Sequence, residues 1–311
     1  MEAPVRHEPV MLREVIAGLD VRPGGRYVDC TVDGGGHAEA IMEAASPGGS
    51  LLGIDEDAEV LVLARERLGR FGDAFACVQA NFRDLDRICR ERGFAPVNGI
   101  LFDLGLSTHQ LASETRGFSF RVEAPLDMRF GPAGRTTAAT LVNETEEEEL
   151  ANLIWRFGEE RLSRRIARAI VQGRPLRTTV DLAKAVEQAV GRRPGSQIHP
   201  ATKTFQALRI AVNQELASLA EALPWAHGLL GFGSRLVVIS YHSLEDRIVK
   251  QYIQRESRDC VCPPGQPVCT CGHKATLRPI SRGAVMPSRE EIVMNPRSRS
   301  ARLRVAERLA A

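Results

Sequence analysis

The sequence predicts an α/β fold with a mostly helical domain inserted into it. Three observations carry this expectation. Strand-like apolar runs alternate with helix-periodic runs through residue 107, the pattern of a parallel sheet covered on both faces. The alternation stops near residue 113, and the next hundred residues read as helix. A buried strand, RLVVIS at 235–240, then resumes the first pattern.

The elements follow in order. RYVDCTV at 26–32 reads as a buried strand and 36–45 as a helix. GSLLGIDED at 49–57 is a second strand that ends in acids, and AEVLVLARERL at 58–68 has helical apolar spacing. AFACVQANF at 74–82 is a third strand. It leads into a helix, FRDLDRICRERG, closed by Gly93. VNGILFDLGLS at 97–107 is a fourth strand. Residues 143–171 read as one long helix broken at Gly158, with Thr145 and Glu148 as a capping box at its start. Residues 180–190 and 199–223 are two more helices. The end, 287–309, reads as a basic loop followed by a short strand or irregular tail. The domains are therefore expected at 1–112 with 215–311, and at 113–214.

Composition narrows the class. The chain has 311 residues, 43% hydrophobic and 26% charged, enough apolar material for a real core. A net charge of +2 excludes a globally basic binder, but arginines crowd 156–177 and the stretch after 274. No apolar run approaches the roughly 18 residues of a membrane span, so no membrane partner is expected. The N-terminal stretch has no signal-peptide core. Seven cysteines, three of them scattered in apparent core elements, fit a reducing cytoplasm.

The turn after the first strand, VDGGGHAEA, is where a nucleotide-type ligand meets such a sheet. Gly34 and Gly36 fit the first two positions of a dinucleotide fingerprint, but Glu39 stands where its third glycine belongs. That weakens a nicotinamide reading. Asp55 ends the second strand, about 20 residues on, where a carboxylate can accept ribose hydroxyls. Asp103 ends the fourth strand in DLGLS. Glycines and acids without the third glycine suit a nucleoside cofactor that lacks a pyrophosphate, and S-adenosylmethionine is one. The bland alternative is a tight turn with acidic strand ends at the surface.

Taken together the motifs resemble those of the bacterial 16S ribosomal RNA cytosine-N(4) methyltransferases, the RsmH or MraW family. The resemblance runs nearly end to end: HEPVMLREV (7–15), DGGGHA (33–38), GIDED (53–57), ANFRDL (80–85), GILFDLGLSTHQL (99–111), RGFSF (116–120), PLDMRF (125–130), HPATKTFQALRIAVN (199–213) and ISYHSLEDRIVK (239–250). Val32–Asp33 and His109 depart slightly from the family pattern. The resemblance implies a class I (Rossmann-like) methyltransferase domain that uses S-adenosylmethionine, with an inserted helical domain. It implies a substrate too, the exocyclic N4 amine of a cytosine in the decoding region of 16S ribosomal RNA, within the small ribosomal subunit.

It also implies a cofactor site at Gly34, Gly35, Gly36, His37, Asp55, Phe82, Asp103 and Gln110. Asp55 is expected on the ribose and Phe82 against the adenine. His37, at a helix N-terminus, is expected to donate to the methionine carboxylate. The cytosine amine is a poor nucleophile, and it needs an acceptor that aims its lone pair. Asp103 and His242 are the expected catalytic residues, with His242 and Ser243 bordering the pocket. No Pro-Cys dipeptide occurs, consistent with a reaction that forms no cysteine adduct. Ser107, Asp127, Arg129, His199, Lys203 and Arg209 are candidates for the RNA cleft, although ordinary turn and packing roles compete at each. The base is expected to be splayed from its stack into a pocket bordered by the inserted helices.

Cys260, Cys262, Cys269 and Cys271 form a C-x-C-x6-C-x-C pattern around Pro-Pro-Gly. A structural zinc, reduced thiols and labile disulfides are all compatible with that spacing, and sequence alone assigns no ligand set. Three other functions compete with the main reading. They are an NAD-dependent oxidoreductase, a DNA cytosine methyltransferase and a noncatalytic RNA-binding module.

Overall fold

The computed structural model describes residues 9–131, 134, 136–191, 199–266 and 268–310. His7 and Glu8 of the first shared motif lie outside the described residues. The chain divides into two compact units, Met1–Gly105 with Leu216–Ala311, and Leu106–Glu215.

The first unit is built on a seven-stranded sheet. Its strands are β1 (Arg26–Asp29), β2 (Ser50–Asp55), β3 (Phe75–Gln79), β4 (Val97–Asp103), β5 (Leu230–Ser240), β6 (Leu277–Pro279) and β7 (Arg302–Arg308). Their order is β3-β2-β1-β4-β5-β7-β6. The pairs among β1 to β5 are parallel, and β7 lies antiparallel between β5 and β6. This is the class I methyltransferase arrangement. The order reverses between β1 and β4, so the crevice beyond their carboxyl ends is the place for a ligand.

The pleat sorts the apolar residues. Val28, Leu52, Ile100, Phe102 and Val238 face one core, shared with Leu219, Leu223 and Val249. Their neighbours Tyr27, Leu51, Leu101, Val237 and Ile239 face the other, shared with Val15, Ile41 and Leu61. Near-continuous apolar strands follow from burial on both faces. Two strands differ from expectation. β5 begins at Leu230, five residues before the apolar run that signals it. The C-terminal segment, read as a short strand or irregular tail, is a seven-residue interior strand with Leu303 and Ala306 buried.

The second unit has its own core, with Leu150, Ile154, Ile166, Ile170, Leu182 and Leu208 buried in one cluster. The long helix expected over 143–171 is three helices, Ala138–Glu144, Glu147–Gly158 and Ser163–Gln172. Thr145 closes the first instead of opening the second, whose N-cap Glu146 makes no side-chain capping bond. The expected Thr145–Glu148 capping box is thus absent. Extended backbone at Thr145 and Glu146 separates the helices, and a left-handed Glu159 (φ 48°) ends the second at the expected break. Likewise the helix expected over 199–223 breaks at Gln214 (φ 51°). Among the described residues no helix is long and apolar enough to cross a membrane.

Candidate functional site

The site is built at the carboxyl edge of β1, β2 and β4. The chain leaves β1 through a turn in which Val32 N–H donates to the Ile54 carbonyl at 3.0 Å and Gly35 N–H to Val32 at 2.8 Å. Gly35 takes φ 80°, which an L side chain rarely adopts, and a Cβ there would also press on Leu68 Cδ1 at 3.1 Å. A Cβ at Gly34 would meet nothing within 4 Å, so that backbone faces open space. The following helix starts at Gly36 and carries His37 in its first turn.

Acids surround this turn. Asp55 accepts the backbone N–H of Asp33 at 3.1 Å on one oxygen and of Asp57 at 3.0 Å on the other. Each oxygen keeps a second lone pair for a ligand. Burial, with Asp33 nearby, pushes the Asp55 carboxyl up to about 7. Asp29, 1% exposed at the end of β1, accepts Thr31 N–H at 3.1 Å, while its Oδ2 has no partner. Burial and the charges of Asp103, Asp55 and Asp33 push it up to about 8. Sequence reasoning missed Asp29, although it ends its strand just as Asp55 and Asp103 end theirs.

Asp103 sits at the centre. Its backbone N–H donates to Thr31 Oγ1 at 2.6 Å, which fixes the end of β4 against the turn after β1. Its Oδ2 lies 3.6 Å from His37 Nδ1, and its Oδ1 is buried without a partner. His37 is 6% exposed and has Nε2 2.9 Å from the Val10 carbonyl. A carbonyl only accepts, so Nε2 carries a proton and Nδ1 is the nitrogen turned to Asp103. Nε2 is thus occupied within the protein, while Nδ1 lies beyond hydrogen-bond distance of Asp103.

Tyr241, a second residue that sequence reasoning passed over, stands beside Asp103. Burial first, and then the Asp103 carboxylate, push its hydroxyl well above the usual tyrosine range, so it remains a proton-bearing donor. Its ring also explains the glycine of DLGLS: a Cβ on Gly105 would lie 2.8 Å from the Tyr241 ring.

The remaining expected residues fall in several places. Phe82 is half-buried, edge-on to Phe102 at 5.5 Å, and Asn81 before it caps the turn by accepting Arg83 N–H at 2.8 Å. His242 is the N-cap of the helix Ser243–Glu256, where its Nδ1 accepts Glu245 N–H at 3.4 Å. Glu245 returns the contact by accepting the N–H groups of Tyr241 and His242 at 2.9 and 3.3 Å. This capping box holds the turn that presents Tyr241. Ser243, the first residue of that helix, is exposed. Ser107 and Gln110, both buried, form a reciprocal capping box at 2.9 and 3.1 Å.

The RNA-cleft candidates of the helical unit are engaged as fasteners within it. Arg129 donates to both oxygens of Asp127, at 2.8 and 2.7 Å, which lowers the Asp127 carboxyl below the ordinary range. His199 stacks on Phe120 at 4.3 Å and lies 2.7 Å from Glu187. Lys203 donates to the Glu159 carbonyl at 3.0 Å, and Arg209 grips Glu215 at 2.9 and 2.8 Å. By contrast Arg161, Arg164 and Arg165 are exposed. In the C-terminal strand, Arg304 donates to both oxygens of the buried Asp246 at 2.7 and 3.1 Å.

The acidic edge can accept hydrogen bonds from hydroxyls and amines and can hold a cation. The stretch 29–37 has no Lys or Arg, so an anionic pyrophosphate would meet like charge. Comparison with known proteins agrees. The model of the MraW methylase family matches residues 4–309. A ribosomal RNA small subunit methyltransferase H from Dehalococcoides mccartyi is 59% identical over 97% of this chain and 86% of its own length. Proteins of the same name from Thermomicrobium roseum and Geobacter sulfurreducens are 53% and 50% identical, over 98% and 97% of this chain and 94% and 99% of theirs.

Proposed function

This chain belongs to the MraW methylase family, and from that premise we propose what its acidic sheet edge does. The protein is an S-adenosylmethionine-dependent methyltransferase of small-subunit ribosomal RNA, and it modifies the exocyclic N4 amine of a cytosine in the 16S decoding region. The observation that carries the chemistry is Asp103 Oδ1, a buried acceptor without a partner at the end of β4. A buried acceptor left unmade is costly, so its place in the mechanism is to receive a donor from a ligand.

The residues present fit the cofactor. When bound, S-adenosylmethionine supplies an electrophilic methyl group on a sulfonium centre. A positive charge beside Asp29 and Asp55 favours the ionised form that their burial opposes, whereas a dinucleotide's phosphates would oppose it further. The open backbone at Gly34 admits close approach. Asp55 takes the ribose hydroxyls on its free lone pairs, and Phe82 lies against the adenine. Gly35 and Gly36 shape the turn that receives the cofactor. His37, anchored through Nε2 on the Val10 carbonyl, keeps its ring beside the Asp103 carboxyl.

Asp103 Oδ1 accepts a hydrogen bond from the cytosine amine. This orients the amine lone pair, and the Asp103 carboxylate is the base that takes up the proton the methylated amine gives off. Tyr241 holds the Asp103 carboxylate in place, and His242 and Glu245 hold Tyr241. RNA enters as part of the small subunit, with the exposed arginines of 161–165 following phosphates.

The test is methyl transfer from labelled cofactor to small subunits taken from cells that lack the enzyme, with the modified base mapped. Label at a cytosine N4 position of 16S ribosomal RNA is expected. Label on another base, or none, overturns the proposal. A short unstructured RNA methylated as well as the assembled subunit would show that the subunit is not the preferred substrate.

A further inference from the structure

Between the helix Ser243–Glu256 and strand β6 the described residues of 257–276 form no helix or strand. Loops of this length without secondary structure are uncommon and need something to hold them. Apolar packing does not do it here: Val268 is 71% exposed and Val261 36%. The base of the excursion is clamped, with Thr276 N–H donating to the Glu256 carbonyl at 2.8 Å and Ala275 N–H to Asp259 Oδ1 at 3.2 Å. Beyond the clamp the loop turns back at Pro263–Gln266, helped by Gly265 at φ 89°. Two Cys-x-Cys arms are thereby brought face to face.

The sulfurs converge. Cys260, Cys262, Cys269 and Cys271 offer four Sγ atoms, all within 4.8 Å of one another. Cys262 and Cys269 are 4.0 Å apart, Cys269 and Cys271 3.6 Å, and Cys260 and Cys271 3.9 Å. A tetrahedral zinc with Zn–S bonds of about 2.3 Å requires sulfurs about 3.8 Å apart. The three separations bracket that value. They far exceed the roughly 2.05 Å of a disulfide. The Val261 N–H also points at Cys271 Sγ from 3.4 Å, a contact that favours a thiolate there.

We propose that Cys260, Cys262, Cys269 and Cys271 bind one zinc ion as a closed tetrathiolate site that pins the 257–276 loop to the body of the sheet unit. All four positions are protein thiolates, which leaves no open coordination position, so the metal is structural and takes no part in methyl transfer. This carries the chain beyond its methyltransferase chemistry and does not depend on it.

The test uses the full-length chain purified without chelators. One zinc per chain is expected by elemental analysis, released stoichiometrically when a mercurial blocks the thiols. Exchange for Co(II) should give the thiolate charge-transfer bands and intense visible bands of a tetrahedral site. The quadruple variant C260S/C262S/C269S/C271S should lose the metal. In it, trypsin should cut at the exposed Arg258 and Lys274 at least tenfold faster than in the zinc-loaded protein, while cofactor affinity stays unchanged. If that variant does not fold, the mercurial titration of the natural chain decides. A fully reduced natural protein that holds no metal and takes up neither Zn(II) nor Co(II) overturns the proposal. So does a folded quadruple variant that keeps its zinc.

Discussion

At the residue scale the site turns on carboxylates that sit in different environments. Asp103 has a buried, unpartnered oxygen at the end of β4, so Asp103→Ala should lower single-turnover methyl transfer by at least 100-fold, the usual scale of acid–base assistance. Cofactor affinity by calorimetry should change far less. A normal single-turnover rate would remove Asp103 from the reaction. Asp55 gives a pH signature. Its carboxyl titrates near 7 in the fold against roughly 4 in an unfolded chain. Between those values the folded protein holds the extra proton, so ligand-free stability falls as pH rises across that window and levels off above it. Asp29 extends the fall to about 8. Ligand binding has the opposite sense, because ribose hydroxyls need the ionised carboxylate. Cofactor affinity should therefore increase as pH rises through about 7, and in Asp55→Asn it should be weaker and lose the part of that rise centred near 7. An unchanged pH profile in the variant, measured by calorimetry, would take Asp55 off the ribose.

At the element scale, turns and caps decide which strand ends meet. Gly35→Ala would force a left-handed conformation and a contact with Leu68, at a cost of about 1–2 kcal/mol. It should lower the thermal midpoint, and a midpoint equal to the natural protein's would refute the strain. The C-terminal strand β7 is held by Arg304 on Asp246, which is 6% exposed. Arg304→Ala leaves that acid buried without its bidentate partner, so it should destabilise the sheet unit by about 3 kcal/mol in denaturant unfolding. A loss within about 0.5 kcal/mol would show that Arg302 alone suffices. Truncating 296–311 is not a clean probe of RNA binding, because it removes an interior strand with Leu303, Val305 and Ala306 buried.

For the whole molecule the net charge of +2 leaves RNA binding to local patches. Arg161, Arg164 and Arg165 are exposed, whereas Arg174 donates to the Val142 carbonyl and Arg304 is committed to Asp246. The triple change Arg161/Arg164/Arg165→Ala should lower small-subunit affinity. If each side chain meets one phosphate, it should also reduce the salt slope by about 2.1–2.7, at roughly 0.7–0.9 per contact. Filter binding across a salt series reads both, and an unchanged slope would move the RNA surface elsewhere.

The sequence by itself determined the alternating sheet unit, the interrupting helical unit and the glycine turn with Asp55 and Asp103. Those features are written in local periodicity and in residue type at strand ends, so they survive without tertiary knowledge. Tertiary structure decided what depends on neighbours distant in the chain. It anchored His37 on the Val10 carbonyl, Lys203 on the Glu159 carbonyl and Arg304 on Asp246. Asp29 and Tyr241 came into the site only through folding. The burial and like charge that shift an acid arise when β1, β2 and β4 end at one edge, and Tyr241 arrives there from a strand that pairs with β4 across more than a hundred residues of intervening chain. Side-chain roles of this kind are fixed by contacts between separate elements, and one-dimensional spacing carries no record of them.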